Sequence, residues 1–407
     1  MDDWMTNLPE VLTMADGTPV TSMEQWENAR RPEILNLFLD HVYGRAPVDR
    51  PSNLEFHIVP GVAPASASAP TQAVSTMPAK RMPSKRVRIE FAGTGGRGSM
   101  HLDLWLPSSP PTPAPVVLFI DTRSPEHRGP DSPFGEAYWP VDYILSRGYA
   151  AASFSTFDLD PDHDDGFLNG VHAIFDPAGP RPANAWAAIG AWAWGVSRVM
   201  DYLKTDRDVQ SDQVILVGHS RGGKTSLWAG AADRRIAMAV SFNSGCTGAA
   251  LSRASRGERV HNINGAFPHW FCGNYKQFNE REDTLPVDQH MLLSLIAPRL
   301  LYVSSGIEDA WCDPPSEFLS AKLTGPVYRL YGHRGLPADE FPSVEQPLWG
   351  DRVGYHVRSG GHALTMYDWE KMLDFADDRL TATCAIAAYD GAGGEQNAQL
   401  PDYRRSL

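Results

Sequence analysis

The 407-residue chain predicts an α/β fold: a mostly parallel central sheet with helices on both faces, a three-layer α/β/α sandwich. Two observations carry that prediction. Val116-Val117-Leu118-Phe119-Ile120 and Val214-Ile215-Leu216-Val217 are unbroken apolar runs, as expected of strands buried on both faces. Between and after such runs lie segments of helical spacing, and a strand–helix–strand alternation builds a parallel sheet with right-handed crossovers.

In chain order, the first 85 residues predict a helical and irregular region packed on the core, and residues 86–407 predict the main α/β domain, the two forming one structural unit. Thr21-Ser22-Met23-Glu24-Gln25-Trp26 has the pattern of a capped helix start, followed by an apolar stripe at Ile34, Leu35, Leu37 and Phe38. Pro60 to Pro83 is rich in Pro, Ala and Ser and predicts an irregular excursion. Arg86–Phe91 and Met100–Leu106 alternate with period two, the pattern of an antiparallel start to the sheet. Ala150–Phe154 reads as the next strand, and Ile189, Trp192, Val196, Val199 and Leu203 share one face of a helix within Asn184–Lys204. Ala237–Phe242, Leu300–Ser304 and Tyr355–Arg358 supply the remaining strands.

The most informative junction follows Val214–Val217. The strand runs into Gly218-His219-Ser220-Arg221-Gly222 and then the helix-prone Thr225-Ser226-Leu227-Trp228-Ala229. Gly-x-Ser-x-Gly between strand and helix is the nucleophile elbow of an α/β-hydrolase fold, with Ser220 at its tip. The glycines are needed because the turn is strained and neighbouring chain passes too close for a Cβ.

In that fold the order along the chain is nucleophile, acid, histidine. Of the 13 histidines, His362 follows the last strand in Ser359-Gly360-Gly361-His362, whereas His356 lies within the strand and reads as structural. The acid belongs after Leu300–Ser304, where Glu308 and Asp309 are both available; Asp309 is preferred. The alternative position, one strand earlier, holds Asn243, which carries no charge. The Arg221 N–H is placed by the elbow as an oxyanion donor, its guanidinium adds a cation, and a second donor is expected from Asp121-Thr122-Arg123 after the central strand.

Composition narrows the function. The formal net charge is −13, from 36 basic and 49 acidic side chains, so there is no basic footprint for nucleic acid. No apolar run reaches the length of a membrane span. Cys246, Cys272, Cys312 and Cys384 lack metal-ligand spacing and read as buried thiols, with one disulfide left open. Asp158-x-Asp160-x-Asp162 lacks the sixth-position Gly and twelfth-position Glu of a calcium loop and reads as a solvated acidic loop beside the site. Met1-Asp2-Asp3-Trp4-Met5 has no signal-peptide character, so either a cytoplasmic protein or a removed leader is expected.

Gly218-His219-Ser220-Arg221-Gly222-Gly223-Lys224 resembles the elbow of glucuronoyl esterases, a family of carbohydrate esterases. Further stretches resemble its bacterial members: Asn243-Ser244-Gly245-Cys246, Phe267-Pro268-His269-Trp270-Phe271-Cys272-Gly273-Asn274, Leu285-Pro286-Val287-Asp288-Gln289-His290, and Gly360-Gly361-His362 with Tyr367-Asp368-Trp369. The resemblance spans residues 30–380. It implies hydrolysis of esters between an alcohol and the carboxyl of 4-O-methyl-glucuronic acid on xylan, through a serine acyl-enzyme and with no metal or organic cofactor. It assigns Arg221 to the oxyanion, Lys224 and Glu258 to sugar hydroxyls, and Trp311 to the sugar face, while Trp270 reads as structural. Where fungal members carry Glu, this chain has Asn243, so the acid must come from the later loop. A monomer is expected. Two alternatives remain at this point: an acetyl-carbohydrate or other small-ester hydrolase of the same fold, and an inactive carbohydrate-binding relative.

Overall fold

The structure, a computed structural model, describes residues 7–60, 82–108, 113–128, 134–253, 255–338 and 340–390, with side chains described as far as Leu380. Pro60–Pro83 falls almost entirely outside the described residues, as does the N-terminal Met1–Met5.

Ten strands form one sheet in the order β1-β2-β3-β5-β4-β6-β7-β8-β10-β9. They are β1 Glu55–Ile58, β2 Lys85–Gly93, β3 Gly96–Trp105, β4 Ala114–Asp121, β5 Ala150–Ser155, β6 Val209–His219, β7 Met238–Phe242, β8 Leu300–Gly306, β9 Leu348–Trp349 and β10 Val353–Arg358. From β5 through β4, β6, β7 and β8 to β10 every pairing is parallel, whereas β1, β2, β3 and β9 join antiparallel at the two edges. The expected strands are all present. The sequence reading missed β1 and β9, short edge strands too brief for a periodic signal.

Burial follows the expected patterns. On β2 and β3, Val87, Ile89, Phe91, Met100, Leu102 and Leu104 point inward, while Arg88 and His101 between them are exposed. The central strands bury both faces. Leu118 and Leu216 join the core beneath the helix Ala188–Leu203, whereas Val117, Phe119, Ile215 and Val217 join a second core with Trp369, Met372 and Phe375 of the C-terminal helix Met366–Asp390. Apolar residues on both faces of each central strand therefore produce the three layers. Ala188–Leu203 is itself buried almost all round, with Ile189, Trp192, Val196, Val199 and Leu203 wholly inaccessible. No helix among the described residues is long and apolar enough to cross a membrane.

The N-terminal helical region anchors on the elbow helix Arg221–Ala232. Ser22 caps the first turn by accepting from the Gln25 N–H at 3.2 Å. Trp26, Ile34 and Phe38 are fully buried, Tyr43 stacks on Trp228 at 4.4 Å, and Arg31 Nη2 donates to the Ala231 carbonyl at 2.7 Å.

Chain direction decides where a site can form. From β4 the chain moves to β5 on one side and then returns to β6 on the other, so a crevice opens outside the carboxyl ends of β4 and β6. Ser220 follows β6 there. A Cβ on Gly218 would lie 1.9 Å from the Gly222 carbonyl oxygen, whereas one on Gly222 would meet Ile120 O and Thr122 Cγ2 only at 3.4 Å. Gly218 is thus the stricter of the two glycines. Gly218→Ala should lower stability by about 3 kcal/mol or more, because backbone rather than a movable side chain is struck. Gly222→Ala should stay within about 1 kcal/mol of wild type, since a helical Gly→Ala change offsets the tighter contact. Urea unfolding of the two variants checks the contrast; equal losses would show that the turn relaxes around either methyl.

Candidate active site

Ser220 occupies φ +57°, ψ −124°, a conformation that L-residues adopt only under constraint. The constraint is a set of main-chain bonds: the Ser220 N–H donates to Phe242 O at 2.9 Å, and its carbonyl accepts from Gly223 and Lys224 at 2.9 and 3.2 Å. The side chain is thereby lifted off the end of β6, at the N-terminus of a helix whose first N–H groups have no intrahelical partner. That arrangement suits a developing oxyanion.

The later loops supply a histidine–carboxylate pair. Asp309 Oδ2 lies 2.7 Å from His362 Nδ1 and accepts a second hydrogen bond from Asn243 Nδ2 at 3.0 Å. Burial pushes the Asp309 carboxyl up, but hydrogen bonds from His362, Asn243 and Cys312 outweigh it and hold the carboxyl well below the usual range. Glu308 points to solvent, so the structure brings Asp309 and not Glu308 to the histidine. Asn243, at φ +47°, is more than the uncharged residue the sequence analysis noted; it orients the acid. His356 is fully buried in β10, as expected of a structural histidine.

His219 was not anticipated. Its ring lies 4.8 Å from that of His362 and edge-on to Tyr138 at 5.6 Å. Burial, reinforced by the neighbouring His362, lowers its pKa to about 3, so it stays neutral near neutral pH. A second imidazolium would have opposed charge on His362.

Arg221 is aimed by the acidic loop. Its Nε lies 2.7 Å from Asp162 Oδ2, off the N–H axis, its Nη2 donates to Thr122 O at 3.3 Å, and its guanidinium sits 5.9 Å from the Trp270 ring. Asp162 is in turn held at Oδ1 by His269 Nε2 at 3.0 Å and Trp270 Nε1 at 2.7 Å. Asp162 is therefore a part-buried pivot rather than the solvated charge expected from Asp158–Asp165. The clue lay in Phe267-Pro268-His269-Trp270, whose two N–H donors require an acceptor. The turn after β4 is tied by its own carboxylate. Arg123 N–H donates to Asp121 Oδ1 at 3.1 Å, and Arg123 closes a two-point pair with the same carboxylate. Thr122 O of that turn accepts from Arg221 Nη2, and Thr122 lines the same cavity as Ser220.

Lys224, Glu258 and Trp311 are brought together. Lys224 Nζ donates to Ser244 O at 2.6 Å and Cys246 O at 2.5 Å, and lies 3.8 Å from Glu258 Oε2. Glu258 N–H donates to Trp311 O at 2.8 Å, and Gly257 permits this because a Cβ there would stand 2.3 Å from that oxygen. Trp311 is 56% exposed, too open to be core. Beneath them, Glu317 accepts from Ser244 N, Gly245 N and Ser305 Oγ at 2.9, 2.8 and 2.6 Å. Burial lifts its pKa to about 7 despite those donors.

Ser220, His362, Arg221, Asp162 and His219 line a cavity of about 370 Å³ that continues past Thr122, His127, Phe134 and Tyr138. Among the described residues, two groups have metal-ligand atoms within 4.8 Å of one another: Asp309, Cys312 and His362, already joined by hydrogen bonds, and the edge-strand trio Glu55, His57 and Glu90. Cys246, Cys272 and Cys312 are free buried thiols.

Known proteins match this arrangement. A family model described as glucuronyl esterase, fungi, covers residues 146–332. Carbohydrate esterase MZ0003, from an unidentified prokaryote, is 37% identical over 404 residues, 92% of this chain and 90% of its own. The glucuronoyl esterase from Solibacter usitatus superimposes with a TM-score of 0.78 at 38% identity, covering 91% of this chain and 97% of that one. The chain belongs to the glucuronoyl esterase family. Another glucuronoyl esterase, from Teredinibacter turnerae T7901, superimposes with a TM-score of 0.79 at 30% identity over 92% of this chain and 90% of its own. A 4-O-methyl-glucuronoyl methylesterase of Schizophyllum commune is 28% identical over 334 residues, 80% of this chain and 74% of its own. The α/β-hydrolase sandwich predicted from sequence is thus the fold of a glucuronoyl esterase.

Two outcomes are expected. Asp309→Asn should lower kcat on the order of 10³–10⁴-fold by presenting the wrong partner to the imidazole, with Glu308→Gln near wild type; steady-state kinetics decide, and a larger loss for Glu308→Gln would reassign the acid. Glu317 has a folded pKa raised from 4.5 to about 7, so the stability it contributes at low pH is lost as pH rises through that window. The melting temperature of wild type relative to Glu317→Gln should fall by a few degrees between about pH 5 and 8. A constant difference would mean that Glu317 does not titrate there.

Proposed function

We propose that this enzyme hydrolyses (4-O-methyl-)glucuronoyl esters of the lignin–carbohydrate type through a serine acyl-enzyme. The observation that supports this most directly is the 2.7 Å contact of Asp309 with His362, which lines the Ser220 cavity, together with the buried Lys224–Glu258 pair whose lysine lies one helical turn beyond Ser220. With Nδ1 tied to Asp309, His362 offers Nε2 as the base. Nε2 takes the proton of Ser220 Oγ as that oxygen bonds to the uronoyl carbonyl carbon. The carbonyl π electrons move to oxygen, where Arg221 N–H and guanidinium stabilise the charge. Collapse expels the alcohol, which leaves with the proton from His362, and water attacks the acyl-enzyme by the same relay in reverse.

Lys224, Glu258 and Trp311 supply substrate recognition. An ammonium and a carboxylate held 3.8 Å apart offer donor and acceptor to adjacent sugar hydroxyls, and an exposed indole offers a face to the pyranose ring. Acetyl esters have no use for such a pair.

Hydrolysis of benzyl glucuronate beside para-nitrophenyl acetate tests the reading. Ser220→Ala should lose both activities by on the order of 10⁶-fold while remaining folded. Lys224→Ala should lower kcat/KM for the uronate ester roughly 10- to 100-fold, the loss of one charge-assisted hydrogen bond, and leave the acetate rate nearly unchanged. Preference for acetate, with indifference to Lys224, would favour a small-ester esterase instead.

A further inference from the structure

His362 has a side chain that is 44% exposed, on a loop whose preceding residues Ser359-Gly360-Gly361 provide little to pack. A base with such support would wander, and a displacement of about 1 Å costs on the order of 10²-fold in rate. The support comes from Arg358, the last residue of β10. Its Nη1 donates to Ser359 O at 2.8 Å, and its Nη2 donates to Gly361 O at 3.2 Å and to Ala363 O. Those carbonyls bracket His362 on both sides in sequence, so one planar group fixes the entry and exit of the loop.

The guanidinium is itself fixed by Asp368. Arg358 Nε donates to Asp368 Oδ2 at 2.7 Å, and that oxygen also accepts from Thr365 N and Oγ1 at 2.9 and 2.8 Å. Asp368 Oδ1 bonds His356 Nε2 at 3.0 Å and Ser304 Oγ at 3.1 Å. Asp368 is wholly buried, and its partners come from β8, β10 and the start of the last helix. Since β8 also leads to Asp309, this carboxylate ties the histidine loop to the strand that delivers the acid. Main chain completes the tie: Ile307 N–H donates to Arg358 O at 2.8 Å and Glu308 N–H to Gly360 O at 3.1 Å. Gly306 allows that approach, because a Cβ there would lie 2.5 Å from Gly361 O and 3.2 Å from Arg358 Nη1.

We propose that Arg358, held by Asp368, is the positioning residue for His362, setting its imidazole against Asp309 and toward Ser220. The inference rests on the role given to His362 above. Lysine cannot replace arginine here, since a point charge does not reproduce a fork that reaches three carbonyls and a carboxylate.

A double-mutant cycle on benzyl glucuronate tests this, using wild type, Arg358→Lys, His362→Ala and the double variant. Arg358→Lys should lower kcat roughly 10- to 100-fold with KM within about threefold. In the His362→Ala background the same change should alter the residual rate less than about twofold, because a residue acting through the imidazole has nothing left to act on. An equal fold-loss in both backgrounds would make Arg358 general scaffolding and overturn the proposal, as would an unchanged kcat in Arg358→Lys. Near wild-type activity in His362→Ala would instead bring down the assignment of the base itself. Should Arg358→Lys fail to fold, Asp368→Asn, which keeps an acceptor for Thr365 but removes the charge facing Arg358, is carried through the same cycle with the same criteria.

Discussion

The chain must turn from strand to helix at a single residue, and the rest of the site is arranged around that turn. With Gly218 pressed on the Gly222 carbonyl, the end of β6 and the start of the elbow helix are too close to relax. Ser220 pays for that proximity with a positive φ. Everything that must reach Ser220 then arrives from the carboxyl ends of strands parallel to β6. Arg221 is aimed from the β4 and β5 side, Asn243 follows β7, Asp309 follows β8 and His362 follows β10.

Around the serine the charges are grouped in opposed pairs: Arg221 with Asp162, Lys224 with Glu258, His362 with Asp309. Buried charges are costly unless paired and hydrogen-bonded, so such pairing is a condition of folding as much as of chemistry. Arg221, Asp162 and His362 line the crevice, whereas Lys224, Glu258 and Asp309 are buried. The neutral His219 is consistent with this economy of charge, since it fills space against the His362 imidazole without adding a cation.

Much of this was legible in the sequence, for reasons that differ by residue. The central strands announced themselves because burial on both faces demands unbroken apolar runs, and Ser220 because few sequences place glycines on either side of a serine between strand and helix. His362 and Asp309 followed from chain order, and the glycines near His362 marked its loop. What escaped notice depends on contacts between segments far apart in the chain. Asp162 reads as one carboxylate among several until His269 and Trp270, more than a hundred residues later, are seen to donate to it. Asn243 reads as an absent acid until its amide is found on Asp309. The edge strands β1 and β9 were missed because two to four residues carry no period.

The carbonyl cage around Lys224 has a consequence for the sugar contact proposed for it. A lysine on an open surface samples many rotamers, and fixing it against a ligand costs on the order of 2 kcal/mol of side-chain entropy. Here Ser244 O and Cys246 O hold the ammonium before any ligand arrives. That ordering was completed when the chain folded, so a hydroxyl meeting Nζ encounters a stationary donor. Sugars bind proteins weakly because water competes for every hydroxyl, and a donor already stripped of its own disorder is one of the few advantages a protein can hold over water.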